Sequence, residues 1–568
     1  MDFKQEITGL IAKATGLKSE FVYEYLEIPP ERNLGDFALP CFRLSKELRK
    51  APQKIAEEIY QQFSVHMDEP AYSLVKECKV TGGYFNVFVD RKAYISAVMQ
   101  EVMVKKERYG TSEEGHGKTV LVEFSSPNIA KPFHIGHLFT TALGNSLERI
   151  YRSLGYKTIS VNHIGDWGTQ FGKLISAYKR WGDANELKTD TIQELLRVYV
   201  KFHQEVIEHP ELDDEARGYF KMLEENVPDI KALWQEFRDF SMREFDRVYQ
   251  RLGIRFDSTD GESFYSDKMD EVIRMLSDKS LLTDSDNAKI VDLSDKNIPP
   301  CMILKSDGAT IYATRDLAAA IYRKRIYDFY KNIYVVGLPQ SLHFKQIFSV
   351  LDKMGYEWAS DCVHVGFGMV RFKDRQMATR EGEIIFLEDV LNESVKRAKT
   401  MMDADRNLEN PEKIAEIIGI GAVIYTFLKN NRERDIIFSW EEMLDLEGES
   451  GPYVQYTHAR ANSVLKKAGD IPDKADYTTL EQEEEFELVD LINGFADAIK
   501  EAAYKYEPAI LTRQITAIAR AYNKFYHFCK ILEAEPELRN ARIHLCYAVK
   551  LLIGKGLELL GIVAPEQM

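Results

Sequence analysis

Two histidines lie three residues apart at the start of a helix-like stretch. His134 and His137 frame Gly136 in the sequence PFHIGH. This spacing places both imidazoles on one face of a first helical turn, and the glycine lets a ligand approach the backbone closely. Imidazole N–H groups can donate to a triphosphate and stabilise negative charge that grows in a transition state. The pair therefore indicates a phosphate site, although two histidines near a glycine also occur by chance in structural roles.

The residues around the pair predict a strand, a turn and a helix. The apolar run TVLVEF begins at Thr119, the turn SSPNIAKPF follows it, and the helix-like stretch LFTTALGNSLERI begins at Leu138. A helix start offers free backbone N–H groups and the positive end of a dipole, both of which suit phosphate. Lys131, just before the pair, adds a flexible cation. Its alternative role is that of a solvated surface lysine.

Length, net charge and cysteine usage limit the possible classes of protein. A chain of 568 residues is too long for one core, which predicts two to four domains. A net charge of −16 argues against bulk attraction to nucleic acid, but not against specific RNA binding by local patches. The six cysteines form no CxxC pair, which favours a reducing cytoplasm over a zinc site or a disulfide framework. No stretch fits a signal peptide or a membrane span.

Strand and helix patterns divide the chain into three parts. Residues 1–108 form a small α+β module, and residues 446–568 form an α-helical bundle. Residues 109–445 alternate strands with helices, which is typical of a parallel, doubly wound, Rossmann-like sheet with ligands at the carboxyl ends of its strands. A helical, charge-rich insertion interrupts this sheet at about 172–260. The first part carries a basic amphipathic helix, either solvated or RNA-contacting, with the cations Arg43, Lys46, Arg49, Lys50 and Lys54.

The chain resembles the class I aminoacyl-tRNA synthetases and, among them, the arginyl-tRNA synthetases. The matching segments, which follow the family's order, are EFSSPNIAKPFHIGH, NHIGDWGTQFGKL, SDGATIYATRDLAAAIYR, YVVGLPQSLHFKQIF, VGFGMVRFKDRQMATREG, GPYVQYTHARANSVL, NKFYHF and LELLGIVAPEQM. The resemblance implies a catalytic domain with a segment contacting the tRNA stem, an anticodon-binding helical domain and an N-terminal domain that contacts tRNA. It also implies ATP-dependent activation of L-arginine to arginyl-adenylate, followed by transfer to the 3′-terminal ribose of tRNA(Arg), with tRNA required in the activation step.

An arginine substrate presents a planar guanidinium with five donors, so its pocket should supply a carboxylate and an aromatic wall. Asp316 follows Tyr312 by four residues, and a helix would place them on one face with Asp316 as the acceptor. The alternative is a core ring beside a surface contact. The resemblance adds Gln340 on the substrate side. It also assigns the α-amino and carboxylate groups of arginine to Glu123, Ser126 and Asn128, the first of which is otherwise a strand residue facing water.

The second ATP loop departs from the family pattern. The family carries a KMSKS-like loop whose lysines neutralise pyrophosphate, whereas Gln376 and Glu381 occupy those positions here. The resemblance names Lys131 as the substitute cation and assigns the remaining loop contacts to Met377, Thr379 and Arg380. The departure motivates one alternative, a catalytically weakened tRNA-binding paralogue. A small-molecule nucleotidyltransferase is a second alternative.

The helical third part offers a nucleic-acid-binding face. Tyr453, Tyr456 and Arg460 recur at i, i+3 and i+7, which suits stacking on splayed single-stranded bases, although a core role is the alternative for both rings. The resemblance adds Tyr526 and Met568 near the anticodon. Periodicity predicts core positions for Tyr522, Phe525 and Cys529.

These inferences predict an arginine–tRNA ligase with three substrates, ATP, L-arginine and tRNA(Arg). We expect Mg2+ to arrive with ATP and expect neither a metal site nor protein-bound zinc. A cytoplasmic monomer without a membrane partner completes the prediction.

Overall fold

The protein folds into two compact units. The computed structural model describes residues 3–285, 288–305, 311–372, 386–402 and 409–568. The first unit combines residues 1–109, 457–495 and 517–553, and the second combines residues 110–456, 496–516 and 554–568.

The N-terminal part of the first unit is a three-stranded antiparallel sheet with helices around it. Its strands, in the spatial order β1-β3-β2, are β1 (Phe37–Pro40), β2 (Val75–Thr81) and β3 (Tyr84–Val89). Its helices are α1 (Phe3–Thr15), α2 (Ser19–Tyr25), α3 (Leu44–Leu48), α4 (Pro52–Ser64) and α5 (Arg91–Lys105). The central strand β3 buries Phe85, whose ring centroid lies 5.3 Å from that of Phe63 on α4. This apolar contact fixes the helix on the sheet.

The prediction of one basic amphipathic helix between residues 43 and 54 is wrong. Helix α3 ends before Arg49, which adopts a left-handed φ of 50°. Ala51 is extended because Pro52, the first residue of α4, disfavours the helical conformation in the residue before it. Lys50 in the link pairs with Glu58, with 2.7 Å between Nζ and Oε2. The five cations are therefore spread over α3, α4 and the residues on either side of α3.

The described residues of the second unit form nine strands and the helices that connect them. The strands are β4 (Thr119–Glu123), β5 (Lys157–Val161), β6 (Leu282–Ser285), β7 (Ala288–Val291), β8 (Cys301–Leu304), β9 (Lys331–Val335), β10 (Cys362–Val365), β11 (Val370–Phe372) and β12 (Ile436–Phe438). The helices are α6 (Ile135–Ser153), α7 (Thr169–Trp181), α8 (Ala184–Thr189), α9 (Thr191–Glu208), α10 (Glu211–Glu224), α11 (Pro228–Arg251), α12 (Met269–Asp278), α13 (Tyr312–Tyr327), α14 (Ser341–Lys353), α15 (Leu387–Met401), α16 (Pro411–Leu428) and α17 (Trp440–Met443).

A four-stranded parallel sheet in the order β10-β9-β4-β5 forms the centre of this unit, which confirms the predicted Rossmann-like fold. The register pairs Glu123 with Val161 on one side and with Tyr334 on the other. From β4 the chain crosses first to β5 on one side and later to β9 on the other. The carboxyl end of β4 therefore lies at a topological switch point, where open α/β sheets bind ligands.

Two additions flank the sheet. Helices α7 to α11 lie in sequence between β5 and β9, in the region of the predicted helical insertion. Strands β6, β7 and β8 form a separate antiparallel sheet. Leu317 and Ala320 of α13 join this sheet in one apolar core with Leu276 of α12. Helix α13 is thereby packed on this sheet, and its Arg323 reaches Glu123 at the carboxyl end of β4.

The C-terminal helices complete the chain, and parts of them belong to each unit. They are α18 (Gly451–Ala468), α19 (Glu483–Asn493), α20 (Phe495–Lys505), α21 (Ala509–Phe528) and α22 (Pro536–Leu559). Tyr522, Phe525 and Cys529 are buried, which confirms their predicted core positions. Among the helices of the described ranges, none is both long and apolar enough to cross a membrane.

Candidate active site

The turn after β4 is held in an unusual backbone conformation. Ser125, Ser126 and Ala130 all have left-handed φ angles, of 69°, 49° and 59°. Each such non-glycine residue costs about 1–2 kcal/mol, so neighbouring contacts must impose the conformation. The amide of Ser126 donates to Asn162 Oδ1 at 3.1 Å, and the amide of Ala130 donates to Ser241 Oγ at 3.0 Å. Strained backbone of this kind is concentrated at functional sites.

The two histidines form the first turn of α6, as their spacing predicts. His134 caps the helix, and its Nδ1 accepts the amide hydrogen of Gly136 at 3.1 Å. Nδ1 of His137 accepts the amide hydrogen of His134 at 3.2 Å. The rings stack with their centroids 3.8 Å apart. Because both Nδ1 atoms act as acceptors, each neutral ring carries its proton on Nε2 and can donate it to a ligand.

Both rings are electrically neutral at physiological pH. Burial, with the nearby His134 and Lys131, lowers the pKa of His137 to about 3. Burial and Lys131 also lower the pKa of His134. The pair therefore offers hydrogen-bond donors but no positive charge, and compensation of a phosphate charge requires a separate cation.

A cavity of about 1160 Å³ opens beside the histidines. It is larger than the pockets of about 300–1,000 Å³ that usually hold small molecules. The predicted site residues that line it are Ser126, Asn128, Lys131, His134, Gly136 and His137. Residues 335–337, at the carboxyl end of β9, line another part of its wall. A stripe of α9 at helical spacing also lines it, made of Leu196, Tyr199, Val200, His203 and Gln204.

Lys131 is the cation that this cavity supplies next to the histidines. Its side chain is exposed and forms no ion pair with any residue that the structure describes. A flexible ammonium without a fixed partner can reach a bound phosphate. The predicted loop contacts Met377, Thr379 and Arg380 lie outside the described residues, as do Gln376 and Glu381.

Asn128 is positioned by a glycine that sequence reasoning missed. A Cβ on Gly165 would lie 2.1 Å from Asn128 Oδ1, so no larger residue fits at position 165 without moving Asn128. The amide of Gly165 donates to Pro127 O at 2.9 Å, and the amide of Ile129 donates to Gly165 O at 3.1 Å. The only sequence signal for this close approach is Gly165 itself, the first glycine of the segment NHIGDWG.

Glu123 lies in a buried ion pair. Oε2 of Glu123 accepts from Arg323 Nη1 at 2.5 Å, and the two residues are 5% and 1% exposed. The alternative in which Glu123 faces water is therefore wrong. A buried carboxylate needs such a partner because the desolvation of an unpaired charge costs several kcal/mol. Arg323 comes from α13, 200 residues along the chain, and sequence analysis did not identify it.

Asp316 has histidine partners. Helix α13 begins at Tyr312, so Tyr312 and Asp316 share one face as predicted. Oδ2 of Asp316 lies 2.5 Å from Nε2 of His343, and its Oδ1 lies 4.0 Å from Nε2 of His163. Burial alone would raise the pKa of Asp316, but the hydrogen bond and charge of His343 keep it below its ordinary value. Asp316 therefore remains an ionised acceptor, and the exposed ring of Tyr312 stands at its side.

Glu262 and Arg315 form a third pair next to Asp316. Nη1 of Arg315 donates to Glu262 Oε2 at 2.9 Å. Burial raises the pKa of Glu262 to about 7, with Arg315 opposing the shift and Asp316 adding to it. Sequence analysis identified neither residue, and it also missed His163 and His343. Gln340 is exposed and caps α14, three residues before His343.

The predicted arginine residues thus fall into two groups. Ser126 and Asn128 line the cavity, whereas Glu123, Tyr312, Asp316 and Gln340 do not. Two consecutive residues after β5 link the groups. Asn162 holds the amide of Ser126, and His163 faces Asp316. The two groups are therefore adjacent at the carboxyl ends of β4 and β5.

The predicted tRNA-binding residues lie in both units. On α18, Tyr453, Tyr456 and Arg460 are half-buried while the residues between them are almost all buried, so the three side chains mark the more exposed face of the helix. In the first unit, the guanidinium carbon of Arg460 lies 5.1 Å from the ring centroid of Tyr526, and Nη1 donates to Asn523. In the second unit, Met568 packs against a cluster of Ala398, Ile414 and Ile418.

No group of three or more histidine, cysteine, aspartate and glutamate side chains within the described ranges is placed to hold a metal ion.

Three family models together match nearly the whole chain. The model described as tRNA synthetases class I (R), catalytic domain, matches residues 98–440. The DALR anticodon binding domain matches residues 454–568, and the arginyl tRNA synthetase N terminal domain matches residues 1–89. The catalytic model alone covers more than half of the chain.

Curated relatives and solved structures agree with these models. An arginine–tRNA ligase of Clostridium botulinum is 53% identical over 570 residues, which cover all of both chains, and that of Clostridium beijerinckii is 51% identical over the same share. The arginyl-tRNA synthetase of Thermus thermophilus superposes with a TM-score of 0.83 at 26% identity, covering 99% of each chain. That of Plasmodium falciparum gives 0.81 at 26% identity, covering 100% of this chain and 98% of its own.

Proposed function

The chain belongs to the class I arginyl-tRNA synthetases and is an arginine–tRNA ligase, and from this membership we propose which residues bind each substrate. The similarity along the full length supports the ligase over the weakened paralogue and the nucleotidyltransferase. We assign ATP to the cavity beside the histidine pair and L-arginine to the adjacent carboxylates. The α-phosphorus of ATP then meets the arginine carboxylate where the two groups adjoin.

In the ATP half, His134 and His137 donate from Nε2 to the phosphates, and Gly136 allows their close approach. Lys131 supplies the positive charge that the neutral rings lack, Arg380 of the loop adds a second cation, and Met377 and Thr379 provide the remaining loop contacts. A carboxylate oxygen of arginine attacks the α-phosphorus, forming the mixed anhydride bond of arginyl-adenylate as the bond between the α-phosphorus and pyrophosphate breaks. Donors placed where charge grows lower the barrier of this step.

In the arginine half, Asp316 accepts the guanidinium in charge-assisted hydrogen bonds, and Tyr312 forms the aromatic wall. Gln340, at the start of α14, borders this half. The α-amino and carboxylate groups are held by Glu123, Ser126 and Asn128. Because this arrangement fixes the carboxylate beside the α-phosphate, the attack becomes effectively unimolecular.

The tRNA contacts are assigned by family membership. Residues 1–108 contact tRNA, residues 109–445 are catalytic, and residues 446–568 bind the anticodon. The last part does so through Tyr453, Tyr456, Arg460, Tyr526 and Met568. We propose that bound tRNA is required for activation and that the enzyme is a cytoplasmic monomer. We also propose that Mg2+ arrives on the ATP phosphates, where it would neutralise charge.

The observation that supports this assignment most strongly is the link after β5, where Asn162 binds the turn that leads to the histidine pair and the next residue, His163, faces Asp316. The test is pyrophosphate exchange with each amino acid, with and without tRNA(Arg). We expect arginine to support exchange and no other amino acid to do so. We also expect this exchange only when tRNA(Arg) is present. Exchange with another amino acid but not with arginine would overturn the assignment.

A further inference from the structure

Two segments of the second unit run side by side where β5 ends. They are residues 160–166, which begin inside β5, and residues 257–263, which follow the last helix of the insertion. Val161 pairs with Ser258 in a parallel β-bridge, and the amide of Asn162 donates to Ser258 O at 2.9 Å. The second segment therefore continues the pairing of the sheet along the outer side of the first.

A carboxylate binds a serine at each end of this pairing. At the first end, Oδ2 of Asp257 accepts from the amide and the hydroxyl of Ser160, at 2.8 and 2.9 Å. At the second end, the two carboxylate oxygens of Asp166 accept from the amide and the hydroxyl of Ser263, each at 2.8 Å. The residues of each pair are 97 positions apart in the chain, so the register is the same at both ends.

The two carboxylates differ in what else holds their segment. Asp257 is exposed, and its partner Ser160 is already fixed because β5 pairs with β4 there. Asp166 follows the end of β5 and is 0% exposed. Its Oδ2 also accepts from Arg238 Nε of α11 at 3.1 Å, and a Cβ on Gly261 would lie only 2.8 Å from its Cγ. A carboxylate this deeply buried is stable only with such partners, so Asp166 fixes the far end of the first segment.

Two residues between these ends contact the turn that leads to the histidine pair. Oδ1 of Asn162 accepts the amide hydrogen of Ser126 at 3.1 Å. Gly165 approaches Asn128 so closely that a Cβ would lie 2.1 Å from its Oδ1. The position of the first segment therefore determines the position of the turn beside the cavity.

The residues that alternate with these two face the arginine half. Nε2 of His163 lies 4.0 Å from Oδ1 of Asp316. The oxygen of Ile164 accepts the amide hydrogen of Glu262 at 3.0 Å, and the Glu262 side chain pairs with Arg315, the residue before Asp316. One short stretch of backbone thus contacts both groups of the site in turn.

We propose that Asp166 is a positioning residue for the activation step, which sets the separation of the arginine carboxylate and the α-phosphate by fixing the end of residues 160–166. This role depends on the proposed placement of arginine at Asp316 and of ATP beside the histidine pair. A misplacement of about 1 Å can slow a reaction about 100-fold. Because Asp316 lies on α13 and the histidines on α6, each substrate should still bind when Asp166 is changed.

The test is steady-state pyrophosphate exchange by the full-length variant Asp166→Asn, with arginine and ATP varied separately at saturating tRNA(Arg). Asparagine keeps the shape of the side chain but replaces one acceptor oxygen by a donor group, which cannot satisfy both Ser263 and Arg238. We expect kcat to fall about 10- to 100-fold, while the KM for arginine and the KM for ATP each change less than about threefold. The melting temperature of each variant shows how much of the enzyme is folded in the assay.

Two further variants separate positioning from loss of stability. Ser263→Ala removes one hydroxyl donor and leaves Asp166 its other partners, so it should fold and lower kcat about three- to tenfold. Asp257→Asn is the matched control, because it changes the same kind of contact at the end that β4 already holds. Its kcat should stay within about twofold of that of the unmodified enzyme.

Three results would overturn the role of Asp166. They are a normal kcat in folded Asp166→Asn or in Ser263→Ala, a raised KM with an unchanged kcat, and an equal loss of kcat in Asp257→Asn. The arginine site is tested separately by Asp316→Asn. If that variant raises the KM for arginine while Asp166→Asn keeps a normal kcat, the arginine site stands and only the role of Asp166 is wrong.

Discussion

Replacement of Asp316 by asparagine removes the negative charge that binds the substrate guanidinium in the proposed site, while keeping the shape of the side chain. A hydrogen bond to a charged group contributes about 1.5–3 kcal/mol, and truncation of a buried charge pair costs about 2–5 kcal/mol. The Asp316 side chain is 27% exposed, which places it toward the lower part of that range. A loss of about 2–3 kcal/mol corresponds to a rise of about 30- to 150-fold in the KM for arginine.

The assay is arginine-dependent pyrophosphate exchange in the presence of tRNA(Arg), with the KM for arginine and for ATP measured separately. Only the arginine KM should rise, because Asp316 does not line the cavity assigned to ATP. Asp352→Asn is the matched control, since Asp352 pairs with Lys296 at the surface of α14. An equal rise in both KM values, or an unchanged arginine KM, would refute the assignment of Asp316.

Three further outcomes follow from the site. Lys131→Ala should slow activation by about 10- to 100-fold, because it removes the cation that the neutral histidines require; Lys157→Ala, at the start of β5, is the control, and a normal exchange rate in Lys131→Ala would disprove the compensation. Arg323→Met should cost about 3–5 kcal/mol of stability by leaving Glu123 unpaired, and added Glu123→Gln should restore much of the melting temperature but not the arginine affinity; equal melting temperatures for all three proteins would contradict this. The pKa of His137 is lowered from 6.5 to about 3, so the unfolded chain binds more protons between these values. The free energy of unfolding should therefore fall by up to about 1.4 kcal/mol per pH unit below pH 6.5; urea midpoints of His137→Gln should lack this slope, and an unchanged slope would count against it.

Local patterns in the sequence were sufficient to predict the secondary-structure elements that position the site. The apolar run ending at Glu123 forms β4, and the spacing of His134 and His137 forms the first turn of α6. Tyr312 and Asp316 share a helix face because α13 begins at Tyr312. Each of these predictions depends on residues within a few positions of one another, where periodicity and capping determine the conformation.

The partners of these residues could not be predicted in the same way. Arg323 and His343 reach Glu123 and Asp316 from distant segments that only the folded sheet brings together. No periodicity relates such positions. A charged residue in a sequence also does not indicate which distant residue will pair with it. The broken basic helix is different, because Pro52 already signalled that the residue before it would leave the helical conformation.

The most direct test of the account is the crystal structure of the full-length enzyme with tRNA(Arg) and a non-hydrolysable analogue of arginyl-adenylate. We expect to find the guanidinium within hydrogen-bonding distance of Asp316 and the phosphate within hydrogen-bonding distance of Nε2 of His134 and His137. A guanidinium bound away from Asp316, or a phosphate bound away from the histidine pair, would contradict it.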